Sequence, residues 1–215
     1  MSDWATIASL ATAGGTLVLA VATFASVRSS NRSARIAERA ARTAELSLLA
    51  GERPLLVNSR LQDPVQKIEF LENNWVTVPG GGAVMDATDG AIYMAASVRN
   101  VGSGLAVMHG WHVMVGRQTE RSHAPLEEFT AQIRDIYVAS GDIGLWQGAE
   151  RDPAADRFKA LAAAIAAGDD ITLSMLYGDF EGGQRVITQF AVRHGEQRWL
   201  AVAVRHFNVD RPEPR

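Results

Sequence analysis

Residues 4–27 read WATIASLATAGGTLVLAVATFASV without one charged side chain, and arginines begin at the next residue. As a helix rising about 1.5 Å per residue, this run spans roughly 36 Å, against a hydrocarbon core of about 30 Å. It therefore fits a single membrane-spanning helix with some tilt; a buried core helix is the competing reading. The order of charges argues against a secretory leader, which carries its basic residues ahead of its apolar core, whereas here Met1, Ser2 and Asp3 precede the run. Basic residues flanking a span are held on the cytoplasmic side. Arg28, Arg32, Arg35, Arg39 and Arg42 all lie downstream. The expectation is one crossing of a cell membrane, with the amino terminus outside and everything after Val27 cytoplasmic. Trp4 takes the place of an interfacial aromatic.

Within the run, Ser9 with Ala13 and Ala11 with Gly15 form small-xxx-small pairs that would let two helices approach closely. A homo-oligomer is one expectation from them; chance pairing in an Ala-rich span is the other. Beyond the run, RSSNRSARIAERAARTAELSLL (28–49) keeps helical spacing, with a thin alanine stripe on one side and the arginines on another. Glu38 and Arg42 are placed for an i,i+4 pair. The five arginines could contact anionic lipid headgroups or serve only as a topology signal on a solvated helix. Gly51 and Pro54 stop the helix.

From Pro54 the period changes from helical to alternating. Segments 54–59, 66–71, 75–78, 91–98, 106–115, 171–177, 185–193 and 197–206 read as strands, rich in Val, Ile and aromatics and bounded by turn residues. The last three should form an antiparallel meander. Residues 125–133 and 154–167 read as helices, the second starting after Pro153 and capped by Gly168. The fold class expected is mainly β with helical additions. A transmembrane helix (1–27) continues into an Ala/Arg-rich juxtamembrane helix and linker (28–53). An antiparallel β-sandwich (54–215) follows, with a helical insertion over about 120–170.

Charge is uneven along the chain. Residues 28–53 hold six arginines against three glutamates, whereas residues 54–215 hold fifteen basic residues against twenty acids. A mildly acidic globular part argues against nucleic acid as a partner. With no cysteine, disulfides and thiolate zinc sites are excluded.

The search for chemistry yields no catalytic set, cofactor motif or metal site. His109 and His112 are three apart on a strand, which alternation places on opposite faces. His194 and His206 fall at opposite ends of one hairpin, and His123 lies in a polar stretch. Pro79-Gly80-Gly81-Gly82 lacks the lysine of a phosphate-binding loop and reads as a turn. Asp135, Asp142, Asp152 and Asp156 do not match a calcium loop. The segment RDIYVASGDIGLWQGAERDP (134–153) reads as a long polar and aromatic loop, and such loops often carry function. It is the candidate partner-binding surface, with Tyr137, Trp146 and Arg151 as contact residues. The Pro-rich end from Asp210 to Arg215 reads as a loose terminus.

Three features carry a resemblance: the step Glu52-Arg53-Pro54 after an Ala/Arg-rich helix, the segments 134–153 and LYGDFEGGQRVITQF (176–190), and the tail VRHFNVDRPEPR (204–215). The order of parts resembles uncharacterised bacterial single-pass membrane proteins of actinobacterial type, with an N-terminal span, an Ala/Arg-rich helix and an Ig-like sandwich. The resemblance implies architecture and anchoring, and no chemistry. The functional expectation is a membrane-anchored cytoplasmic binding or scaffold module. The alternatives are a structural protein acting by self-association, or an enzyme using Asp142, Asp152 or His123.

Overall fold

The computed structural model describes residues 3–70, 74–88 and 90–210. Contacts divide the chain into two compact units, Met1–Ala50 and Gly51–Arg215.

The first unit is one helix, α1 (Asp3–Gly51). It runs unbroken through the Val27–Arg28 junction, so span and juxtamembrane helix are one element of roughly 73 Å at the standard rise. Nothing in this stretch breaks a helix: it has no proline, and alanine recurs throughout. The helix is long and apolar enough to cross a membrane, with a mean hydropathy of 1.8 over its most apolar 18-residue window. The described apolar side chains of its uncharged run stand exposed, Phe24 at 69% and Leu17 at 68%. The hydroxyls of Thr12, Thr16 and Thr23 donate back to the carbonyls of Ala8, Thr12 and Leu19 at 2.7–2.9 Å. These three hydroxyls are thereby satisfied within the helix. The Glu38–Arg42 pair forms at 2.6 Å. The side chains of Trp4 and Ala11, and the tail beyond Asp210, lie outside the described part of the structure.

The second unit is a mostly antiparallel β domain. Its strands are β1 (Leu56–Asn58), β2 (Gln66–Glu69), β3 (Trp75–Val78), β4 (Gly82–Thr88), β5 (Ala91–Asn100), β6 (Ala106–Val115), β7 (Thr130–Ala131), β8 (Tyr137–Val138), β9 (Ile143–Glu150), β10 (Ile171–Gly178), β11 (Val186–His194) and β12 (Trp199–Asn208). One helix, α2 (Asp156–Ala167), precedes β10. Two layers face each other. In one, β9 and β4 flank β5, with β1 continuing along β5 beyond β4. In the other, β12, β11, β10 and β6 pair in order, with β7 and β8 on the far edge of β6. The layers join at a corner where Ala83 and Gly82 of β4 pair with Trp199 and Leu200 of β12.

Alternation explains which side chains enter the core. Ile92, Met94, Ala96 and Val98 of β5 meet Ile171, Leu173, Met175 and Tyr177 of β10 in one buried cluster. The opposite face of β5, with Tyr93 and Ala95, is covered by the β2–β3 hairpin through Ile68, Phe70, Val76 and Val78. On the other layer, Leu176, Ile187 and Phe207 face outward under Leu126 and Phe129. Phe158 and Leu161 of α2 reach the main core, and Gly168 at φ 73 caps the helix by donating to Ala164 and Ile165. Asn100 ties the post-helix linker to the sandwich. Its carbonyl accepts from Leu55 and Gly102, and its amide donates to Gly104 and Val138.

Three expectations are corrected. Residues 125–133 form a single 3₁₀ turn, Leu126–Glu128, after which β7 pairs with the open edge of β6. Satisfying that edge's backbone outweighs a short helix in water. Residues 134–153 are not a long loop, because β8 and β9 occupy half of the segment. Gly144 and Gly148 hide the strand pattern in the sequence. At Gly148 the missing side chain makes room: a Cβ there would lie 2.7 Å from the Trp146 ring and 2.9 Å from Trp111. Third, Trp146 is fully buried and packs edge-on against Trp111 across the two layers, centroids 5.7 Å apart. It is a core residue rather than a contact residue.

Candidate functional site

Of the three expected contact residues, the structure leaves two on the surface. Tyr137 is half exposed on β8, its hydroxyl 3.3 Å from the Asp135 carboxylate. Arg151 is exposed just after β9 and lines a groove of about 70 Å³ between residues 130–134 and 147–151. Gln132, Ile133 and Arg134 form the facing wall, and Trp111 and Gly148 lie at its base. Tyr137 is not part of this lining. Ile133 is 82% exposed at the lip. Gln132 donates its amide to the Gln147 carbonyl at 3.2 Å, and no donor among the described residues reaches its Oε1. The groove thus presents an aliphatic side chain, two guanidinium groups and one open acceptor. Beside it, Arg157 lies over Trp111 at 5.7 Å and pairs with Glu150. Burial pushes the Glu150 carboxyl up, against the opposing pull of Arg157.

A second concavity is absent from the sequence-level expectations. The chain from Gln118 to Phe129 forms a strap over the outer face of β6, β10 and β11. Three side chains of the sheet hold it down. Thr172 accepts from the Gln118 amide, Gln189 donates to the Ser122 carbonyl, and Arg205 donates to the carbonyls of Thr119 and Glu120. Under the strap is a cleft of about 200 Å³ lined by His112, His123, Glu128, Thr172, Ser174 and Gln189 among others. Register explains the row on its floor: Ser174 is the cross-strand partner of both His112 and Gln189. His112 Nε2 lies 3.7 Å from Glu128 Oε2. Burial pushes His112 down; Glu128 pulls it up and Arg157 adds to the fall.

The remaining polar candidates scatter. A bulge in β6 leaves His109 without a partner residue on β10, so Met108 and Trp111, three apart, both enter the core. Strict alternation therefore fails for His109 and His112, yet they keep separate neighbours. His109 sits by Gly178, pushed down by burial and by Arg185, with Asp179 and Asp210 opposing. His206 belongs to a buried chain with Thr188 and Tyr177, whose hydroxyl also accepts from the Leu56 amide. It lies at the far end of the β11–β12 hairpin from His194. Asp142 and Asp152 accept from the backbone amides of Ile143 and Ala154, which is turn chemistry. Among the described residues, no group of three His, Cys, Asp or Glu side chains converges to hold a metal ion.

Linear spacing held no sign of the strap cleft, because His112, the strap residues His123 and Glu128, and Gln189 come from three separate segments. One signal was available: Thr172 and Ser174 are polar on the covered face of a strand that is otherwise apolar. The chain matches no family model, no curated protein and no solved structure.

Proposed function

We propose that this chain is a membrane-anchored binding module, with α1 crossing a cell membrane and the sandwich cytoplasmic. The observation that carries the reading is α1 itself: an uncharged, exposed apolar run in which the hydroxyls of Thr12, Thr16 and Thr23 bond internally, as a hydrocarbon environment demands. The arginine comb supports the orientation, and Arg28, Arg32, Arg35, Arg39 and Arg42 contact lipid headgroups at about 1 kcal/mol each on an anionic leaflet. The likeness in order of parts to bacterial single-pass proteins agrees with this anchoring. The protein partner docks at the groove between 130–134 and 147–151. With Arg134, Arg151 and Ile133 around it, that groove suits an acidic segment bearing an apolar side chain.

The test is crosslinking in intact membranes, comparing the wild type with an Arg134→Glu, Arg151→Glu variant, after alkaline extraction and protease accessibility of the sandwich. Retention in the membrane, protection from external protease and loss of one captured protein in the variant are expected. Release by alkaline extraction would remove the anchor. Undiminished capture by the variant would remove the groove, and capture of nothing but a second copy would favour self-association through α1.

A further inference from the structure

We propose that the cleft under the 118–129 strap is a binding site for a small primary organic ammonium ion. It shares no lining residue with the groove, so either assignment can fail without the other.

The cleft is built rather than incidental. Its floor is a row of cross-strand partners, His112, Ser174 and Gln189, contributed by three adjacent strands. Ser174 and Gln189 are each 2% exposed. The Gln189 amide nitrogen is committed to the Ser122 carbonyl at 3.0 Å, which fixes its other amide atom, Oε1, as the acceptor. No donor among the described residues reaches that oxygen. Buried acceptors are almost always paired, so a donor belongs there.

The other lining groups say what kind of donor. His123 Nδ1 lies 2.7 Å from the Ala124 carbonyl, so Nδ1 is the donor there and Nε2 is the ring nitrogen left for a ligand. Glu128 brings a carboxylate. No lysine or arginine lines the space, and Arg205, the nearest base on the row, is turned to the strap carbonyls. The unpaired Gln189 Oε1 and the Glu128 carboxylate are both acceptors, and Arg157, whose charge reaches His112 from outside the lining, is already paired with Glu150. An anion would meet the Glu128 carboxylate with no lysine or arginine in the lining beside it. A primary ammonium supplies three N–H donors and the matching charge, and the Met114 and Ala124 side chains offer apolar contact to a short alkyl tail. At about 200 Å³ the space admits a ligand of a few heavy atoms.

The experiment titrates the full chain in detergent with three isosteric probes, n-butylammonium, n-butanol and n-butyrate, followed by calorimetry and by histidine NMR signals. Saturable binding of n-butylammonium alone, with the His112 and His123 signals moving, is expected. Glu128→Gln, at an exposed position on the strap, should weaken it roughly tenfold, as should Gln189→Met if circular dichroism shows the fold intact. Equal binding of the alcohol, preference for the carboxylate, no binding of the amine at low-millimolar concentration, or unchanged affinity in Glu128→Gln would each overturn the assignment.

Discussion

Replacing Trp146 by alanine tests the central packing claim. The indole is fully buried, stacks edge-on with Trp111 at 71° and lies against the bare backbone of Gly148. Removing a buried tryptophan typically costs about 3–5 kcal/mol, and the lost aromatic pair puts this site towards the top of that range. Collapse into the hole is resisted because the backbones on both sides are held in ladders, Ala96 to Trp146 and Met175 to Trp111. One effect opposes the loss. The indole Nε1 is buried without an acceptor, and deleting it relieves about 1–3 kcal/mol. The net is roughly 3 kcal/mol, or a fall in Tm of about 6–12 °C for a domain of this size. Trp146→Phe separates the two effects, since it keeps an aromatic ring and removes the orphaned N–H; it should cost no more than about 1 kcal/mol. Thermal unfolding of the full chain in detergent, followed by near-ultraviolet circular dichroism, reads both. A Trp146→Ala protein melting with the wild type would refute the core assignment and return Trp146 to the surface as a contact residue.

Gly148→Ala should destabilise by about 1–3 kcal/mol, because the new Cβ meets two tryptophan rings that have no free volume to enter; denaturant melts measure it. Asn100→Ala strands two half-buried amides and two carbonyls and should cost more, about 3–5 kcal/mol, with faster hydrogen exchange over residues 53–56 and 101–104 as the local readout. Stability should fall as pH drops from about 6.5 towards 5. Burial depresses His109, His112 and His206, so below 6.5 the unfolded chain takes up protons that the folded one refuses, and the loss levels off once the folded pKa values are passed. Glu150, whose pKa is raised by burial, works the other way near the acid end. A His112→Gln, His206→Gln double variant should flatten the Tm profile between pH 7 and 5, and an unchanged slope would count against the histidines as its source.

Part of this architecture was legible in the residues. Ile171, Leu173, Met175 and Tyr177 fall on one face, as do Val186, Phe190 and Val192, because both strands show one face to the main core and the other to a covering layer. The turns flanking them carry glycine and acidic residues, and the meander they predict is the one that forms. Segment 134–153 misled for an equally physical reason. Its strand is interrupted by two glycines whose purpose is to admit Val138 and the tryptophan pair, and that purpose is invisible without the opposing layer. β4 escaped notice because it begins inside a glycine run.

By itself the sequence determined everything that depends on local order. That includes an apolar helix of spanning length, the arginines beyond it, the helix stop at Gly51 and Pro54, and the periodicity of the longer strands. These follow from backbone geometry and near-neighbour chemistry, which a linear reading contains. Only the tertiary structure decided which surfaces face outward and which groups meet. It buried Trp146, left Arg151 on a groove, inserted the bulge that re-aims β6 at His109, and carried His123 and Glu128 over the row of His112, Ser174 and Gln189. Such meetings depend on register and on the path of the strap, set by contacts between segments far apart in the chain.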